Sequence, residues 1–297
     1  MFIKFGERII AINFKISVLI STLKSFIQII RPVNFIITFL SVIVATAICI
    51  DGEYQFYKII LAAFSASLTL SAGNIINDIK DIAIDKVNHP ERPLITGKIT
   101  VSQAKAEYFS LTFIALLLSF IINLPAFVIA LSATVLLLQY SYYFKMVPIL
   151  GNLIVSILTG MVFIYGGVVV NNPLAAIIPA IFAFLINLIR EIVKDMQDVE
   201  GDLKQGVITF PGKFGFNSSK LLVVELTAIL FLVTLYPFIT RLYKIEFIIL
   251  IMAVVNPLLV YNLKILFNDH SSSNLNKIST ILKLNMFIGL IAILLGK

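Results

Sequence analysis

Three aspartates stand at Asp78, Asp81 and Asp85, and three more at Asp195, Asp198 and Asp202, each later residue 117 positions after its counterpart. The same shift sets Asn74 against Glu191 and Asn77 against Lys194. On an α-helix, spacings of three, four and seven keep each trio within a stripe of roughly 60°. Nine of the 16 Asp and Glu residues fall in these two stretches, with Glu91, Glu191 and Glu200 completing the set. Clustered oxygen donors of this kind suit a hard cation. Mg²⁺ in particular holds a few carboxylates and fills its remaining positions with water and phosphate oxygens. Such a site binds a diphosphate through bridging metal, and Arg92, Lys145 and Lys194 are the cations available to its non-bridging oxygens. With His89 and His270 the only histidines and Cys49 the only cysteine, a His/Cys metal centre is improbable and an internal disulfide is excluded.

The elements that position these groups follow from composition. Only 13% of the 297 residues are charged, 59% are hydrophobic and the mean hydropathy is +1.01, whereas soluble chains carry roughly 25% charged residues. Apolar runs near 20 residues recur along the chain, long enough to cross a hydrocarbon core of about 30 Å. The alternating ten-residue segments of a β-barrel are absent, so the expectation is an all-α membrane protein. Hydropathy places nine spans at 33–50, 57–77, 107–122, 125–143, 149–170, 174–193, 219–237, 245–262 and 279–296. Residues 1–32, interrupted by Glu7, Arg8, Lys15 and Lys24, read as an amphipathic segment lying on the membrane, ahead of a nine-helix domain over 33–297.

Counting Lys and Arg on each side of those spans puts 19 of 23 on one side, including Lys283 at the foot of the ninth span. By the positive-inside rule that side is cytoplasmic, and it carries the N-terminus and both acid stretches. The net charge of +7 therefore reports membrane orientation rather than nucleic-acid binding. Both trios sit on even-numbered spans, the second and sixth, so the stretches 73–100 and 190–215 form a parallel internal repeat. An ionised carboxylate near mid-membrane costs about 2.5–3.5 kcal/mol, so each trio must face a wet cavity or a cation rather than lipid.

Other polar residues qualify the picture. Tyr140, Tyr142 and Tyr143 with Lys145 end the fourth span, either as an interfacial belt or as part of the site. Arg31 and Asn34 open the first span, as an anchor and a helix-packing residue or as substrate contacts. Asn187, one turn before Arg190 and Glu191, is expected to face the cavity. The Pro- and Gly-bearing segments 86–101 and 203–217 read as ordered loops able to close over the carboxylates.

Taken together, these motifs resemble the UbiA superfamily of intramembrane prenyltransferases. The NDxxDxxxD signature is present as Asn77, Asp78, Asp81 and Asp85, followed by RPxxxG at Arg92, Pro93 and Gly97. The second signature lies at Asp198 and Asp202, with Gly206, Thr209 and Pro211 trailing it, and Tyr140, Lys145, Gly151 and Asn152 fit a third. The resemblance, over residues 31–297, implies nine helices around a central cavity and two Mg²⁺ ions. Asn77, Asp81, Asp198 and Asp202 would be the principal ligands, with Asp78, Asp85 and Asp195 in support and Arg92, Lys145 and Lys194 on the diphosphate. The first-motif context is most similar to the archaeal digeranylgeranylglyceryl phosphate synthase branch. It implies an isoprenyl diphosphate donor, geranylgeranyl diphosphate, and a lipid-phosphate acceptor bearing a free hydroxyl, for which Lys86, Lys98 and Lys204 are candidate cations. An aromatic acceptor, or a cation-coupled transporter of a different class, remains open from the sequence.

Overall fold

The computed structural model describes residues 23–204 and 206–297, so most of the expected interfacial segment 1–32 lies outside the described residues. Among the described residues there is no strand, and nine helices are long and apolar enough to cross a membrane: Pro32–Cys49, Phe56–Lys80, Val101–Ile122, Leu124–Tyr142, Leu150–Val169, Pro173–Lys204, Phe210–Ile239, Ile245–Asn268 and Ser272–Gly296. They are called the first to ninth spans below.

Every expected span is present, and several run further than hydropathy places them. The sixth continues to Lys204, the third starts at Val101, the seventh at Phe210 and the ninth at Ser272. These extensions share one end of the bundle. Hydropathy stops where side chains turn polar, but the backbone keeps its i→i−4 hydrogen bonds through Lys, Asp and Gln, all tolerable in a wet helix end. The ninth span gains most in meaning. Lys283, counted with the cytoplasmic charges at the foot of the expected span 279–296, is the twelfth residue of this 25-residue helix.

Hydrogen bonds tie like ends together. The Lys297 ammonium donates to the Ala47 carbonyl at 2.6 Å, and the Lys244 amide to the Gly296 carbonyl at 2.6 Å, joining the ends of the first and ninth spans to the start of the eighth. The opposite end gathers the acid motifs. The 117-residue shift extends well beyond the aspartates: it carries the first span onto the fifth and the second onto the sixth, leaving the ninth without a counterpart.

Close packing holds the repeats together. A Cβ on Gly166 would come within 2.6 Å of the Ala45 Cβ, so glycine lets the first and fifth spans touch, and Gly160 admits the Ala180 carbonyl between the fifth and sixth in the same manner. The third and fourth spans bury least and expose Phe109, Phe113 and Phe120 outward, as a lipid-facing wall.

The trios are not equivalent. Asp195, Asp198 and Asp202 lie on one continuous helix, but the second span ends at Lys80, Asp81 adopts φ −90° and ψ 8°, and a separate short helix runs Ile82–Asn88. The expectation of a single straight stripe in the first copy is therefore corrected. The amides of Asp81 and Asp85 still bond to the carbonyls of Asn77 and Asp81, so spacing survives while direction changes.

Candidate active site

The bend at Asp81 swings the short helix across the end of the bundle, against the sixth span. Asn88 donates to the Asp198 carbonyl at 3.1 Å, and Gly201 makes room, since a Cβ there would fall 2.2 Å from the Asn88 side chain. His89 Nε2 lies 3.4 Å from Asp198 Oδ1. Between the two copies opens a cleft with about 570 Å³ of empty space. Its walls include Asn77, Asp81, Asp85, Glu191, Asp195, Asp198 and Asp202, with Arg92, Lys145, Lys194, Tyr140, Asn152 and Thr209. The expected convergence of both motifs on one cavity is thus observed.

Most of the acids of the two motifs have partners, and Arg92 serves two of them. Asp81 is paired with the Lys145 ammonium and accepts from Asn77 Nδ2 at 2.7 Å, while Asp85 is paired with Arg92. Asp195 accepts from Asn152 Nδ2 at 2.9 Å. Asp78, only 4% exposed, stands behind the cleft rather than in its wall, accepting from Arg31 at 2.5 Å and Arg92 at 3.0 Å. Burial raises the Asp85 carboxyl to about 6, against the opposing pull of Arg92. Among the described residues no three acids or histidines converge at the spacing of a closed metal centre. The carboxylates are instead held by Lys145, Arg92 and Arg31. The donor set nevertheless fits a hard cation: every candidate ligand is an oxygen, and the Asn77 side-chain oxygen Oδ1 is buried without a hydrogen-bond partner.

Local backbone geometry aims Lys145 and Asn152 into one space. Phe144–Met146 forms a single tight turn, and Ile149 takes φ 68°, a conformation rare for a β-branched residue, just before the fifth span begins. Of the tyrosines ending the fourth span, Tyr140 lines the cleft, Tyr142 stacks under the Lys80 ammonium at 3.4 Å, and Tyr143 is exposed.

Deeper in the bundle the cleft continues into a chamber of about 850 Å³, sharing Asn77, Tyr140, Glu191 and Lys194 with it. Arg31, Asn34, Asn74, Asn187, Arg190 and Lys283 also line this chamber. Asn187 faces inward as expected and donates to Ser156 Oγ at 3.3 Å. Lys204 does not join it, pairing instead with Glu200 at 2.6 Å on the surface, and Lys86 and Lys98 are exposed. Sequence reasoning missed Lys283, Asn88 and His89 as members of the site. The signal for the last two was their place directly after the first trio.

From the chamber two apolar arms run into the bundle, both touching Ile37, Ser41 and Thr159. One, of about 800 Å³, lies among the first, second, fourth and fifth spans and is lined by Ala66, Leu70, Ile129 and Val162. The other, of about 640 Å³, reaches Phe163, Phe182, Phe247, Ile251 and Leu290 on the far side. The second arm borders a π-helical turn at Ile251–Val255, where the Asn285 side chain donates to the Val255 carbonyl at 3.3 Å.

Known proteins share this fold. The chain is 36% identical over 283 residues to digeranylgeranylglyceryl phosphate synthase of Methanocaldococcus jannaschii, covering 94% of this chain and 98% of that one. A solved structure from work on digeranylgeranylglyceryl phosphate synthase in membranes superposes with a TM-score of 0.72 at 35% identity, covering 93% and 98% of the two chains. The fold also matches a UbiA homologue from Archaeoglobus fulgidus, solved with DMAPP and Mg²⁺, at a TM-score of 0.62 and 21% identity over 91% of this chain and 99% of that one. The pattern of the UbiA prenyltransferase family spans residues 35–291, from the first span to the ninth. The nine apolar helices, the paired acid motifs and these likenesses make this chain a multi-pass membrane enzyme of the UbiA prenyltransferase family.

Proposed function

We propose that the enzyme transfers a geranylgeranyl group from its diphosphate to the free hydroxyl of geranylgeranylglyceryl phosphate, in archaeal ether-lipid synthesis. The observation that carries this reading is the pair of apolar arms meeting at one polar chamber. A reaction joining two prenylated lipids needs two apolar channels with their heads side by side, whereas an aromatic acceptor without a chain needs only one. The name of the 36% identical relative supports the same substrates.

Two Mg²⁺ ions, one for each acid motif, are part of the proposal, and the Mg²⁺ in the Archaeoglobus fulgidus homologue supports a divalent ion. Asn77, Asp81, Asp198 and Asp202 would hold them, with Asp85 and Asp195 beside them in the cleft wall. Bound there, the metal would neutralise charge on the departing diphosphate. The residues of the chain do the rest. Arg92, Lys145 and Lys194 face the diphosphate with fixed positive charge as the allylic C–O bond breaks and its electron pair leaves with diphosphate. The apolar arms exclude water from the resulting allylic carbon. The acceptor oxygen then bonds to that carbon, and its proton passes to the released diphosphate, the base that the reaction itself supplies. The acid cleft opens on the side richer in Lys and Arg, which the positive-inside rule assigns to the cytoplasmic face of the cell membrane.

The test is acceptor choice. Purified protein with Mg²⁺ and labelled geranylgeranyl diphosphate should release diphosphate and form an ether lipid when given geranylgeranylglyceryl phosphate. Turnover with an aromatic acid or quinone precursor, and none with the glyceryl lipid, would overturn the reading.

A further inference from the structure

Lys283 lies 11 residues into the ninth span, about 17 Å along its axis at 1.5 Å per residue. The first seven of those residues are the polar extension of the helix, so Lys283 sits four residues inside the apolar run that begins at 279, where an ionisable side chain is expensive unless it serves a ligand or has a partner. Among the described residues Lys283 has no hydrogen bond and no ion pair, and it faces the chamber. The charges it meets there are Arg190, Arg31, Lys194 and Glu191. Arg31 is committed to Asp78. Arg190 donates one nitrogen to Glu191 at 2.5 Å, but its Nε is buried with no partner. Four cations thus surround a chamber whose walls hold one acid, Glu191. The neighbouring cleft is the reverse, with six carboxylates and three Arg or Lys. An anion carried with metal fits the cleft. An anion without metal fits the chamber.

The helix carrying Lys283 continues the pattern. Met286, Leu290 and Ile293 lie on the same face of the ninth span, within a stripe of roughly 80°, and all three line the second apolar arm. A cationic head above an apolar wall on one helix face is the complement of a phosphorylated lipid.

We infer that Lys283 and Arg190 bind the phosphate monoester of the acceptor lipid, and that its prenyl chain descends beside Met286, Leu290 and Ile293 into the second arm. This rests on the lipid-phosphate acceptor proposed above, and it leaves the first arm to the donor chain.

The test separates this site from the metal-bound diphosphate by working in EDTA. Geranylgeranylglyceryl phosphate should raise the thermal midpoint of the metal-free wild-type protein, whereas inorganic phosphate and the dephosphorylated lipid should not. Lys283→Met should abolish that rise and Lys283→Arg should restore most of it. In turnover, Lys283→Met should increase KM for the acceptor by about 10- to 100-fold, the worth of one charge-assisted hydrogen bond, with KM for the donor unchanged. The ligand-free variant should unfold no earlier than wild type, because an unpaired inner charge has been removed. Gly289→Leu provides a second readout: a Cβ at Gly289 meets nothing within 4 Å and the residue lines the second arm, so a larger side chain there extends into the arm's open space, with an unchanged thermal midpoint as the check on folding. It should weaken a 20-carbon acceptor and spare a short-chain one.

A Lys283→Met protein that keeps the wild-type shift in EDTA overturns the assignment. So does a donor KM that rises in step with that of the acceptor, an equal shift with inorganic phosphate, or an unchanged 20-carbon preference in Gly289→Leu. Absence of any product from wild type with this lipid fails the functional reading instead, and the EDTA shift reads the phosphate site separately from it.

Discussion

Replacing Asp78 with asparagine removes one negative charge and almost no volume, which makes it a clean probe of what this acid does. Its Oδ1 receives Arg31 at 2.5 Å and Arg92 at 3.0 Å, and it lies outside the cleft wall. Arg92 keeps Asp85 in the variant, but Arg31 loses its only ion-pair partner among the described residues. Hydrogen bonds to charged groups are worth about 1.5–3 kcal/mol, and stranding a buried charge costs about 3–5 kcal/mol. The Arg31 side chain is 27% exposed, and the asparagine oxygen still accepts weakly, so the expected loss is about 2–4 kcal/mol. In a chain of this size that lowers the thermal midpoint by roughly 5–10 °C. Adding Arg31→Gln to Asp78→Asn should recover about half of the loss, because the stranded cation is gone. The assay is thermal unfolding in detergent, with Mg²⁺ titrated against turnover in parallel. Asp78→Asn should leave the Mg²⁺ requirement near wild type while Asp81→Asn raises it. Strict additivity with Arg31→Gln, or a Mg²⁺ requirement raised as far as in Asp81→Asn, would refute the view of Asp78 as a clamp on two arginines.

Two further outcomes follow from the cleft. Burial holds Asp85 at about 6, above its unfolded value, so the folded state takes up a proton more readily than the unfolded chain. At this group the metal-free protein should gain stability as pH falls from about 6 towards 4. Mg²⁺ binding near pH 6 should then release a proton and weaken by up to about tenfold per unit below pH 6; a binding enthalpy identical in two buffers of different ionisation heat would contradict this. Lys145→Met frees Asp81 from its present partner and takes a cation from the diphosphate. Mg²⁺ should bind more tightly while turnover falls by about 10- to 100-fold, and weaker Mg²⁺ binding in equilibrium titration would contradict the exchange.

Much of the fold was legible because lipid leaves so few options: each apolar run of span length had to be a helix, and all nine are. The acid cleft was legible for the same reason, since two matched carboxylate stripes in a chain this poor in charge have only a shared wet cavity to face. What escaped were departures from straight helices. The kink at Asp81 preserves spacing, so no pattern of residues betrays it, yet it brings Asn88 and His89 onto the sixth span. Lys283 escaped because hydropathy averages over a window. The polar residues from Ser271 to Asn276 put the expected boundary at 279, so Lys283 read as a charge at the foot of the span, although the helix carries it on its inner face. Lys86 and Lys204 drew attention by charge alone; the first is exposed, and the second pairs with Glu200 on the surface.

The 117-residue repeat divides the molecule into parts with different freedom to change. Eight spans descend from one four-helix plan, and each copy needs the other, because the acid cleft is formed by both. A substitution there is felt twice. The ninth span stands outside the duplication, and its inner face, from Lys283 to Ile293, touches the chamber and one arm but supplies nothing to the acid cleft. A lineage could therefore retune what it prenylates by rewriting one stripe of a single helix, keeping the ionisation machinery intact. Exchanging the ninth span between relatives with different acceptors is the laboratory version of that history.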